Sequence, residues 1–122
     1  PKAIYSTPWT TDWNHKPVPQ TDGKIVMPPG LEKNGFPKDF WIQPVGGEFV
    51  MGVSKYDSGD KDVLFIANHD AYGEQNVKLK LTKPSKPHLF NRKTGKYDLL
   101  PITDGAVGFK LEPAGGAIIL FK

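Results

Sequence analysis

The chain has 122 residues, no cysteine and a net charge of +3 that comes almost wholly from lysine, Arg92 being its one arginine. That length suits a single domain able to bury a core without disulfides or a metal, and the missing cysteine excludes disulfide frameworks, Cys-ligated zinc and thiol catalysis. A lone arginine, and no basic cluster interleaved with aromatics, argue against nucleic acid as a partner; no apolar run approaches the roughly 20 residues of a membrane span.

The first residue is proline rather than methionine, which suits a processed product or an excised piece of a longer chain, the excised piece being the favoured reading; no charged-then-apolar N-terminal signal is present. Residues 1–39 carry Pro8, Pro17, Pro19, Pro28, Pro29 and Pro37, with Asp22-Gly23 and Asn34-Gly35 as turn signals. Proline at that density forbids a regular helix and breaks strands, which predicts an extended segment. Within it, Ile25 to Met27 could pair as an edge strand. Its large aromatics, Tyr5, Trp9 and Trp13, predict packing along the body of the domain or along a neighbouring one, because burying such rings is worth a few kcal/mol each, about 1.5–3 for a large apolar side chain.

Residues 40–122 are punctuated regularly. Phe40 to Val45 is a strand candidate, with Phe40 and Trp41 as core residues, and Gly46-Gly47 has the φ freedom of a tight hairpin link. Next comes the stretch on which the fold is centred. Phe49, Met51 and Val53 alternate with Val50, Gly52 and Ser54; a polar loop follows; then Val63 to Ala67 is apolar at every position, which predicts a strand covered on both faces. Asp70 to Gln75 is a polar connection. Asn76 to Thr82 alternates with Lys78 and Lys80 on a solvated face. His88 to Arg92 and Tyr97 to Leu100 flank a Thr94-Gly95 turn, Asp104-Gly105 leads into Ala106 to Leu111, and Pro113 to Gly116 leads into Ala117 to Phe121. Short strands between turn dipeptides, without helical periodicity, predict an all-β fold: an antiparallel β-sandwich of about seven to eight strands with an irregular N-terminal segment.

Three stretches together resemble the C-terminal β-sandwich domain that follows the catalytic barrel in many glycoside hydrolases. Val63 to Asn68 matches that domain's Asn-ending strand, Leu89 to Leu100 its strand, Thr-Gly turn and strand, and Phe109 to Leu120 its strand, Leu-x-Pro turn with glycines and strand; here Ala114 intervenes between Pro113 and Gly115. The resemblance covers Glu48 to Lys122, about two thirds of the chain. It implies a non-catalytic accessory domain whose partner is the catalytic domain of the same parent chain, with the parent secreted, periplasmic or at the cell surface.

The chemistry of the residues points the same way. A glycosidase needs two carboxyls facing each other across a cleft, whereas the acidic cluster Asp57, Asp60 and Asp62 falls in a predicted hairpin loop, where solvated carboxylates lack the pKa separation of acid and base roles. The same cluster around a glycine could hold calcium, but its spacing departs from an EF-hand loop and a bare turn uses the same residues. His15, His69 and His88 have no metal-ligand spacing, there is no GxSxG elbow and no phosphate-binding glycine loop, so no cofactor is expected. The alternative function is an autonomous carbohydrate-binding module. Tyr5, Trp9, Trp13, Tyr56 and Tyr72 fall in loops or in the N-terminal segment, where rings can stack on sugar C–H faces, although for Trp9 and Trp13 the favoured reading is that they anchor that segment to the sandwich or to the missing catalytic domain. An immunoglobulin-like adhesion domain is a third possibility, since sandwiches host many functions.

Overall fold

The computed structural model describes residues 3–20, 22–55 and 62–121. Within them lie nine strands: β1 (Ala3–Ser6), β2 (Ile42–Gly46), β3 (Phe49–Lys55), β4 (Asp62–Asn68), β5 (Gln75–Leu81), β6 (Pro87–Asn91), β7 (Lys96–Leu99), β8 (Ala106–Leu111) and β9 (Gly116–Phe121). All pairings between these strands are antiparallel. A six-stranded sheet runs β1-β3-β4-β9-β6-β7, and a three-stranded sheet runs β2-β5-β8.

The period-two pattern decides which faces meet. Val77, Leu79 and Leu81 of β5, with Ile42, Val107 and Leu111, form one wall of the core; Phe49, Met51, Val53, Leu64, Ile66, Ile119 and Phe121 form the other. Asn76, Lys78 and Lys80 point out, as the alternation predicts. The fold is therefore the all-β sandwich read from the sequence, with β3 and β4 inside the larger sheet. At Asp104-Gly105 both residues have positive φ, and Thr103 and Ala106 exchange backbone hydrogen bonds of 2.9 and 3.0 Å across them, the geometry of a type I′ turn.

Three local expectations are corrected. Gly46-Gly47 is not a hairpin link: β2 pairs with β5 and β3 with β1 and β4, so the glycines carry the chain from one sheet to the other. The uniformly apolar arm is not covered on both faces. Leu64 and Ile66 are buried against the smaller sheet; on the other face, the outer one of a two-layer sandwich, Val63 is covered but Phe65 is 47% exposed and Ala67 is exposed too. Finally, Ile25 to Met27 forms no strand; Val26 makes a single bridge to Trp9, and Pro28 and Pro29 have no N–H to continue a ladder. The strand within the N-terminal segment is β1, which runs along β3 with Tyr5 opposite Met51.

Gly47 fits this crossing for two reasons. Its φ is +102°, and a Cβ there would meet the Asn76 carbonyl oxygen at 3.1 Å and Val77 Cα at 3.2 Å. Gly47→Ala should therefore destabilise the domain by about 1–3 kcal/mol, read from urea denaturation midpoints at unchanged slope.

Candidate functional site

The N-terminal segment returns across the end of the larger sheet as a strap, and its attachment is mostly polar. The anchor is Glu48, one residue after the Gly47 crossing. Its Oε1 accepts the Thr10 backbone N–H at 2.5 Å and its Oε2 accepts the Thr10 hydroxyl at 2.5 Å. Gln75 at the start of β5 locks Glu48 from the other side. Gln75 Oε1 accepts the Glu48 N–H at 2.6 Å, which orients the amide; its Nε2 then faces the Glu48 carbonyl, Asn68 Oδ1 at 2.6 Å and His69 Nδ1 at 3.0 Å. The two hydrogens of that amide match its two shorter contacts, the Glu48 carbonyl and Asn68 Oδ1, and the His69 ring turns its other nitrogen, Nε2, to the strap. That nitrogen meets Thr11 Oγ1 at 2.7 Å and lies 3.4 Å from Glu48 Oε1.

Asn68 and Asp70 complete the network. Asn68 is buried and donates through Nδ2 to the carbonyls of Gly73 at 2.8 Å and Glu112 at 2.9 Å, while its Oδ1 accepts the Asp70 N–H at 2.9 Å. Asp70, also buried, accepts the N–H groups of Tyr72 and Gly73 at Oδ1 and the His15 ring N–H at Oδ2. Burial works against its ionisation, but the hydrogen bond from His15, those from the two backbone amides and the His15 charge together hold the carboxyl below its ordinary value. Gly73 belongs to the same arrangement, because a Cβ there would lie 2.9 Å from Asp70 Oδ2.

The structure separates the aromatics singled out from the sequence. Trp9 is buried, edge to face with Trp13 at 4.9 Å and tilted on His69 at 5.3 Å; its Nε1 has no hydrogen-bond partner. Tyr5 is half-buried against Phe36 and Phe40 and, with Phe40 and Trp41, lines a cleft of about 480 Å³ beside Lys83, whose Nζ lies 4.2 Å from the Trp41 ring centre. Trp13 is 50% exposed and Tyr72 is 72% exposed. Tyr56, Asp57 and Asp60 lie outside the described residues. Asp62 opens β4 and forms an ion pair with Lys55 at 2.8 Å. Among the described residues, no three His, Asp or Glu side chains converge as metal ligands.

Sequence reasoning did not pick out Glu48, Asn68, His69, Asp70 or Gln75 as a unit. The available signal was the abrupt Asn68-His69-Asp70 run at the end of an apolar strand, polar residues where the chain has just left the core. Comparisons with family models, with curated proteins and with solved structures find no match for this chain.

The arrangement can hold a backbone in place, and Asp70 makes that hold sensitive to acid. A carboxyl whose folded pKa lies below its unfolded value of about 3.9 contributes stability in full above that value and loses it as pH falls through the folded one. Unfolding free energies measured from about pH 5 down to about pH 2 should fall more steeply for the wild type than for Asp70→Asn. Parallel curves would show that Asp70 contributes nothing to the acid limb.

Proposed function

We propose that the chain is a non-catalytic accessory β-sandwich of a larger glycoside hydrolase, packed against another domain of its parent through the outer face of the larger sheet. The observation that carries the packing is an apolar row crossing that face. The register aligns Ile4, Gly52, Phe65 and Ile118 on neighbouring strands, with Ile4 41% and Phe65 47% exposed. The next row, Ser54, Val63, Leu120, His88 and Leu99, has Val63 and Leu120 buried and ends in Leu99 at 62% exposure. Exposed apolar side chains on one sheet face, here Ile4, Phe65 and Leu99, suit contact with another protein surface. The glycoside hydrolase context rests on the resemblance of Val63 to Asn68, Leu89 to Leu100 and Phe109 to Leu120.

The disposition of carboxylates supports the non-catalytic part. Glu48 is taken up by Thr10, Asp70 by two backbone amides and His15, and Asp62 by Lys55. A glycosidic general acid needs a raised pKa, and Asp70 is lowered instead.

The paired substitution Phe65→Lys with Leu99→Lys should destabilise the isolated domain by only about 1 kcal/mol, since Leu99 is mostly in water and the lysine stem keeps part of the packing of Phe65, which is 47% exposed. In the intact parent the same pair should lower the melting temperature by about 2–4 °C or more, because two lysines would be buried at the domain contact. An unchanged parent melt would remove the packing face. Hydrolysis of aryl glycosides by the isolated domain would remove the non-catalytic assignment.

A further inference from the structure

Two tight turns stand side by side where the strap meets the end of β4, and each presents an aromatic ring to water. In the first, Asp12 Oδ1 accepts the N–H groups of Asn14 at 2.8 Å and Lys16 at 3.0 Å, and the Asp12 N–H donates to the Lys16 carbonyl at 2.8 Å, closing the chain around Trp13. In the second, Asp70 Oδ1 accepts the N–H groups of Tyr72 at 2.8 Å and Gly73 at 3.0 Å, closing the chain around Tyr72. The turns are joined twice. The Ala71 N–H donates to the Trp13 carbonyl at 3.0 Å, and the His15 ring donates to Asp70. His15 holds a left-handed backbone, φ 61°, which a non-glycine residue keeps only when its surroundings impose it. Below, Trp13 rests edge to face against the buried Trp9.

Both aromatic residues therefore sit on backbone that is already ordered, so a ligand meeting them orders little of the main chain. Rings 50% and 72% exposed leave apolar surface open for contact. We propose that Trp13 and Tyr72 form a contact site for a neutral carbohydrate chain, their rings packing on the C–H faces of sugar units. The Tyr72 hydroxyl, the Asn14 side-chain amide and His15 Nε2 supply hydrogen bonds to sugar hydroxyls.

Charge selects this ligand class. The Asp12 and Asp70 carboxylates accept backbone amides, His15 pairs with Asp70 and Glu74 with Lys110 at 3.5 Å, and Lys16 stands close to Asp12, so the signs are interspersed and no field of one sign gathers a phosphate or a polyanion. Stacking on nucleic acid bases would call for a cationic groove along the strand. The site draws on residues other than the outer-face row, so it and the packing reading stand or fall separately.

The test is affinity electrophoresis of the 122-residue chain through gels containing xyloglucan, galactomannan, arabinogalactan or amylopectin, with heparin as a charged comparison. At least one neutral polysaccharide should retard the wild type. Tyr72→Ala and Trp13→Ala should each weaken that retardation by about tenfold or more, and the double variant should migrate as in a blank gel. Glu74→Gln should behave as wild type. Tyr72→Ala keeps the test sound even where Trp13→Ala disturbs the strap, because the Tyr72 side chain lies mostly in water. Three results would overturn the proposal: no retardation by any neutral polysaccharide, retardation that survives in the double variant, or retardation by heparin alone that salt abolishes.

Discussion

The attachment of the strap at Thr10 depends on a partly buried exchange between Glu48 and Gln75. Each uses a backbone group of Glu48: its N–H goes to Gln75 Oε1 and its carbonyl receives Gln75 Nε2. That double contact joins the start of β5 in the smaller sheet to the chain entering β3 in the larger one, just where Gly47 makes the crossing. With its main chain held, the Glu48 carboxylate is free to take both the amide and the hydroxyl of Thr10. Charge-assisted hydrogen bonds of this kind exceed neutral ones, and losing one partner would leave a half-buried carboxylate without its donors.

From that point the strap is built outward. Thr10 sits between Trp9, buried under the strap against His69, and Thr11, which meets His69 Nε2. Two residues further on, the turn around Trp13 joins the turn around Tyr72 through His15 and Asp70. The polar network thus has a structural consequence, fixing a proline-rich segment that has little regular ladder of its own. It also has a surface consequence, since it presents two aromatic rings on ordered turns. An acidic site chemistry is not needed to account for Glu48 or Asp70.

Much of the sandwich was legible in the residues because local chemistry determines it. The alternation of Val77, Leu79 and Leu81 with Lys78 and Lys80 identifies the buried face of β5 without knowledge of its neighbours, and Asp104-Gly105 has the φ preferences of the turn it makes. What stayed hidden depends on partners distant in sequence. The φ freedom of Gly46-Gly47 serves a hairpin and a sheet crossing equally, and only the pairing of β2 with β5 distinguishes them. β1 is four residues in a proline-rich stretch, and its strand character comes from β3, more than forty positions away. Trp9 and Trp13 are alike in type and context, yet one meets His69 and is buried while the other ends on a turn tip in water. Glu48 and Gln75, 27 positions apart, could not be paired from composition or spacing.

The central claim is that the strap belongs to the same cooperative unit as the core. Native-state hydrogen exchange tests it directly, by comparing the amides of Thr7, Thr10 and Ala71, which bond to Phe49, Glu48 and Trp13, with those of Leu64 and Ile66 in β4. The account predicts that all five exchange with one opening free energy, to within about 1 kcal/mol, and respond together to denaturant. Strap amides that exchange through low-energy local opening while Leu64 and Ile66 stay protected would contradict it.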